Sequence, residues 1–153
     1  MRVDGREHTQ QLTVQRHPRY TWISDADLQE QFALGIRIRD KVSEANESVI
    51  QIREVKCDAA ARMAQNNSAR LRELGNTLTT NLSDVEDDIY QVRNQSGQDP
   101  LNFPIRINNR LANLLRIVNS GDGRPIANAP VLLERYSEIL GVQLGRLTNV
   151  LET

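Results

Sequence analysis

The sequence predicts a mainly α protein, an antiparallel four-helix bundle behind a short N-terminal β segment. Three observations carry that expectation. From Ser24 onward apolar residues recur every three or four positions, caps and Gly/Pro signals divide these runs, and aromatic residues are only 4% of the chain. A core so poor in aromatics falls to Leu, Ile, Val and Ala, a palette suited to helix packing. The 153 residues suffice for one main core burying about two-thirds of the surface the unfolded chain exposes.

Residues 1–22 read as β. Asp4-Gly5 is a turn dipeptide, and Leu12 and Val14 alternate with polar neighbours, which suggests one or two strands. A two-stranded ribbon buries little by itself, so this stretch is read as the severed end of a β-domain. The bundle then occupies 23–153. Its first helix opens with Ser24 as N-cap and Asp25 and Asp27 in the first turn, and carries Leu28, Phe32, Leu34, Ile38, Val42, Ala45, Val49, Ile52 and Val55. It runs to about Gln65, some 60 Å, where Asn66-Asn67-Ser68 supplies a turn and a new cap. The second helix carries Leu71, Leu74, Leu78, Leu82, Val85, Ile89 and Val92 and pairs with the first as a hairpin. The third, with Ile107, Leu111, Leu114, Leu115 and Val118, stops at Gly121, Gly123 and Pro125. The fourth starts near Pro130 and places Leu133, Tyr136, Leu140, Leu144, Leu147 and Leu151 on one stripe. Gly141 and Gly145 lie one turn apart beside it. Each costs about 1 kcal/mol in a helix interior, so close approach of a neighbouring helix is the expected compensation.

Between the second and third helices stands QDPLNFPIRINNRLANLL, residues 98–115. Proline fixes its own backbone and extends the residue before it, so Asp99 and Phe103 are expected outside a helix and Pro104 at a first helical position. The stiff loop directs Leu101 and Phe103 into the bundle end as plugs. Asn102, Asn108, Asn109 and Asn113 both donate and accept, which suits them to bracing loop carbonyls, with a sugar or peptide site as the alternative. Asn102, Arg106, Asn108 and Asn109 are therefore the candidate interaction residues.

The formal net charge is −1, with 19 Lys and Arg scattered among 20 acidic residues, so no one-sign patch invites nucleic acid. No apolar run is long enough for a transmembrane span, and the first thirty residues lack the apolar core of a signal peptide. Membrane insertion is not expected. The single Cys57 has no partner for an internal disulfide, which leaves the compartment open.

No catalytic, metal or cofactor site is expected either. Glycoside hydrolysis needs two carboxylates about 5 to 9 Å apart flanking the bond. The one dense acidic cluster, Asp84, Glu86, Asp87 and Asp88, shares a helix whose core stripe belongs to Leu82, Val85 and Ile89, so these acids are expected to face water. His8 and His17 lack companions at ligand spacing, Cys57 lacks a nearby His to activate it, and no G-x-S-x-G elbow is present.

Three runs carry a resemblance that extends over nearly the whole chain: QVRNQSGQDPLNFPIRINNRLANLL, LTVQRHPR and DLQEQFALGIRIRDKVSEANESVIQIREV. In them the sequence resembles the C-terminal region of large bacterial proteins built on sortilin-like, Asp-box β-propellers, often labelled glycosyl hydrolases. The asparagine-proline loop with its INNRLANL helix start is the most specific part. The resemblance implies a propeller, then a small β-sandwich whose last strand ends in a DPR-like corner, then a helical bundle. Here the corner reads His17-Pro18-Arg19, with His in place of the acid, so contacts of that acid are not carried over. Nothing in the chain corresponds to the propeller. By resemblance it is a tail without its head, whether from a truncated gene, an alternative start at Met1 or a cut fragment, and export is implied for the full-length form.

Two functions follow as expectations. The first is a non-catalytic helical accessory module that packs against upstream β-propeller and β-sandwich domains and binds a protein or glycan partner. The second is a fragment of a glycosyl hydrolase whose catalytic residues lie in the absent propeller. A membrane-surface helix is a weaker third, because the apolar stripes match one another and the polar faces carry both signs.

Overall fold

The computed structural model describes residues 2–3, 5–66 and 68–152. Asp4 of the N-terminal turn and Asn67 of the first interhelical turn lie outside them. The elements are a minimal antiparallel hairpin, β1 (Arg2–Val3) and β2 (Arg6–Glu7), followed by α1 (Asp25–Gln65), α2 (Ala69–Ile89), a 3-10 turn (Asp99–Leu101), α3 (Ile107–Val118) and α4 (Ala129–Glu152). The predicted four-helix bundle is the fold.

Local chemistry sets the helix boundaries. Ser24 and Asp27 form a reciprocal capping box at the start of α1: Asp27 N–H donates to Ser24 Oγ at 3.1 Å and Ser24 N–H donates to Asp27 Oδ2 at 2.9 Å. These bonds, the Ser24 hydroxyl's first, hold the Asp27 carboxyl below its ordinary pKa. At the hairpin tip Asn66 turns extended and Ser68 caps α2. The end of α3 is closed from another element, because Gln31 of α1 donates its side-chain amide to the carbonyls of Val118, at 2.7 Å, and Gly121.

Cross-helix contacts fix the path of the chain. Arg53 and Lys56 of α1 meet Glu86 of α2, and Met63 lies against Gly75, so α2 runs antiparallel to the C-terminal half of α1. Asn46 meets Asn108, and Gln31 meets the end of α3, so α3 runs antiparallel to the N-terminal half. Consequently α2 and α3 follow one another along α1 in the same direction. Glu134 pairs with Arg37 and Arg146 with Asp88, which places α4 parallel to α1 and across both shorter helices. One continuous core results, centred on Ile38, Ile52, Leu82, Ile89, Leu111, Leu133 and Leu140.

Several expectations give way to this packing. Gly141 and Gly145 are exposed and would each accept a Cβ into open space, so no helix approaches them. Phe32 and Leu74, placed on core stripes by spacing, are largely uncovered, and Val92 falls in the loop beyond α2. Cys57 is exposed. Leu12 and Val14 pair with no strand; residues 8–16 carry no regular structure, and the two side chains are 77% and 87% exposed. Their alternation expresses no sheet because no second strand borders them.

Candidate interaction site

The α2–α3 connection begins with Gln91, which is buried. Its side-chain amide donates to Pro104 O at 2.8 Å and accepts from Arg93 N–H at 3.2 Å, so it ties the two ends of the loop together. Asp99 organises the middle. Its carboxylate accepts the N–H of Gln95 and, at 2.7 Å, of Ser96, together with the Ser96 hydroxyl at 2.9 Å. Those bonds, that from Gln95 first, lower its pKa. Asp99 thus opens a 3-10 turn rather than standing extended, because its neighbours' amides need an acceptor there.

The plug reading of this loop is corrected by the structure. Leu101 is 82% exposed, and Phe103 is half-buried with the Arg93 guanidinium 5.8 Å from its ring centre. Neither belongs to the core. Pro104 stays outside α3, whose N-cap is Arg106, because the Pro104 carbonyl is already engaged by Gln91.

The four candidate residues separate. Asn102 is exposed, and its backbone N–H returns to Asp99 O at 2.9 Å. Asn108 is buried and donates to Asn46 Oδ1 at 2.7 Å, joining α3 to α1. Asn109 accepts the Arg106 N–H at 3.4 Å and caps the helix start. Arg106 stands half-buried with Nη1 3.8 Å from Asp88 Oδ1, while Arg146 of α4 holds the other oxygen of Asp88 at 2.6 Å. Asn108 and Asn109 therefore serve packing and capping, and Arg106 joins an ion cluster linking α2, α3 and α4.

Acidic residues of α2 depart further from expectation. Asp84 and Asp87 face water, but Glu86 is only 4% exposed, held by Arg53 Nε at 2.6 Å and Lys56 Nζ at 3.0 Å. Burial raises its pKa, and the hydrogen bonds from Arg53 and Lys56 outweigh that effect, so the carboxyl sits below its ordinary range. The signal was present in the spacing, because Glu86 lies four residues after Leu82 and three before Ile89, on the core stripe itself. Among the described residues no group of three or more His, Cys, Asp or Glu is arranged to hold a metal ion, and no helix is long and apolar enough to cross a membrane.

A second candidate surface lies at the N-terminal arm, where the HPR corner forms a tight turn closed by Tyr20 N–H donating to His17 O at 3.0 Å. Beyond it the rings of His17, Tyr20 and Trp22 follow one another, with centroids 4.9 and 5.4 Å apart. Arg16 ties the arm down. It pairs with Asp25 at 2.8 Å and donates to the carbonyl of Ile23, whose side chain is buried against Gly123. A shallow cavity of about 320 Å³ opens between Val14, His17, Tyr20, Leu28 and Asp122. Trp22 projects beside it, 74% exposed. Comparison with known protein families, with curated proteins and with solved structures finds no match.

Proposed function

We propose that this chain is a non-catalytic helical accessory module that docks through its N-terminal arm onto β-rich domains of a larger propeller-type protein. The observation that supports this reading is the arm itself. Leu12, Val14 and Trp22 hold their apolar surface away from the bundle, while Arg16 and Ile23 fasten the base of the arm to it. The short antiparallel hairpin at its start is a strand pair of the kind that a neighbouring sheet extends by strand addition. The acids of α2 favour the non-catalytic role, since Glu86 and Asp88 are neutralised by Arg and Lys rather than poised across a cleft.

Trp22 is the sole tryptophan and therefore reports docking directly. The reading frame upstream of the Met1 codon is expected to encode Asp-box repeats. Titrating the separately expressed upstream domains into this chain should shift Trp22 emission to the blue, and Val14→Asp should abolish the shift. An upstream frame without β repeats, or no shift, overturns the docking reading. Assayed on a panel of aryl glycosides, the chain should show no turnover. Turnover lost in Asp84→Asn or Asp88→Asn would overturn the non-catalytic reading.

A further inference from the structure

Where the arm rejoins the bundle, a second shallow cavity of about 500 Å³ adjoins the one beneath Val14, and Asp122 borders both. One wall is aromatic, formed by Trp22, which is largely exposed, and Tyr20, which is 40% exposed. The other wall is the loop that follows α3, residues 119–122. Both walls are held from the bundle side. Ile23 N–H donates to Tyr20 O at 3.3 Å, so a tight turn carries the two rings, and the buried Ile23 side chain seats that turn against Gly123. Gln31 of α1 holds the carbonyls of Val118 and Gly121, and Asn119 Oδ1 stands 3.2 Å from the place a Cβ on Gly35 would take. Little ordering is therefore left for a ligand to impose.

The lining selects a charge. Among the described residues around this cavity none is Lys or Arg, and the one ionised group is Asp122, which has no hydrogen bond or ion pair among the described residues. Neighbouring cations are engaged elsewhere, Arg16 by Asp25 at 2.8 Å and Arg124 by Glu30 at 3.0 Å, and Arg19 lines neither cavity. His17, against the Tyr20 ring, accepts the Arg19 N–H on Nδ1 at 3.2 Å, so that nitrogen carries no proton. Ser120 donates its hydroxyl to Ile117 O at 2.7 Å, which leaves its oxygen an acceptor. A carboxylate, a hydroxyl oxygen and two ring faces are all electron-rich, and together they favour a cation.

Ring spacing selects the kind of cation. With centroids 5.4 Å apart and planes inclined at 52°, Tyr20 and Trp22 leave positions within about 6 Å of both centroids, the reach of a cation–π contact. An ammonium or guanidinium group placed there would give up water bonds that one carboxylate replaces only in part. A trimethylammonium group has no N–H to satisfy and turns methyls toward both rings. We propose that this cavity binds a small soluble trimethylammonium compound, its methyls on Tyr20 and Trp22 and its charge against Asp122. The site shares Trp22 with the docking arm but does not rest on the docking reading, and its test uses this chain without upstream domains.

Choline is the probe. In two-dimensional amide spectra of the intact chain, choline should move the Trp22 indole N–H and the Asp122 amide along one saturable curve. Neohexanol, its neutral carbon isostere, should bind about tenfold more weakly, because the two cation–π contacts and the attraction of the carboxylate are lost. Phosphocholine should also bind more weakly than choline, since its phosphate meets Asp122. Asp122→Asn and Trp22→Leu, followed at the amide of residue 122, should each weaken choline several-fold and leave neohexanol nearly unchanged, whereas Trp22→Phe should keep part of the affinity. Both side chains are exposed, so neither change opens the core, and helical circular dichroism confirms that each variant is folded. Absence of a saturable shift, equal affinity for choline and neohexanol, or choline affinity indifferent to both Asp122→Asn and Trp22→Leu would each overturn the site. Phosphocholine binding as tightly as choline would overturn the role of Asp122. Failure of upstream domains to dock would leave the choline titration as it is, so the two readings fail separately.

Discussion

Glu86 shows how one residue controls both packing and pH response. Its carboxylate is buried between α1 and α2, yet Arg53 is more than half exposed, so water screens part of the attraction. Glu86→Gln is expected to destabilise by about 1 to 3 kcal/mol, less than the 3–5 kcal/mol of a fully desolvated broken pair. The pH dependence follows from the lowered pKa. Because the folded value lies below the unfolded one, near 4.3, the contribution of Glu86 is complete above about pH 4.3 and fades as pH falls through the folded value. Urea melts between pH 3 and 7 should therefore show a steeper acid-side loss in wild type than in Glu86→Gln. In the loop, half-buried Phe103 rests on Arg93, so Phe103→Ala should cost about 1–2 kcal/mol, below the range for a fully buried ring. Asn108→Ala should cost about as much or more, roughly 1 to 3 kcal/mol, because it strands the Asn46 amide. Near-wild-type midpoints for both variants would show that the loop does not brace the bundle.

At the scale of elements, the glycines of α4 and the N-terminal arm have opposite relations to the core. Gly141 and Gly145 face open space on a helix, so each retains the entropic cost of glycine without a packing return. Replacing each by Ala should stabilise the fold by up to about 1 kcal/mol. The double variant should raise the melting temperature by several degrees, at about 2–4 °C per kcal/mol for a chain of this size. A lowered melting temperature would reveal an approach to that face by another surface. The arm contributes little buried area, so deleting residues 1–21 should leave the thermal midpoint of the bundle nearly unchanged and reduce self-association. A large loss of helix stability would show that Arg16 and its neighbours belong to the core after all.

Across the whole molecule, coverage decides where the structure opens. The N-terminal half of α1 is flanked by α3 and α4, whereas among the described residues the tip beyond Ala59 lies beside α2 and the last residues of α4. Amide exchange should therefore be faster for residues 60–66 and 68–75 than for the segments around Ile38 and Leu111, with an opening free energy well below that of global unfolding. Uniform protection along α1 would mean that the hairpin is stable by itself and that α3 and α4 add nothing to its order.

By itself the sequence determined the four helices and the starts of α1 and α2, while the end of α2 fell short of Val92 and the start of α3 fell beyond Pro104. Caps and apolar periods are local, and Ser24, Ser68 and the Gly121–Gly123 stop act on the backbone within a turn of themselves. What the tertiary structure alone decided is which apolar residue is covered and which polar one is not. Periodicity puts Phe32, Leu74 and Glu86 on stripes equally well, but exposure depends on where a second helix passes. That depends in turn on α2 and α3 following one another along α1. The four candidate residues were legible as a polar cluster in the chain but not as separate tasks. Within one helical turn Asn108 faces α1 while Asn109 turns back on its own helix start, because successive side chains on a helix point about 100° apart.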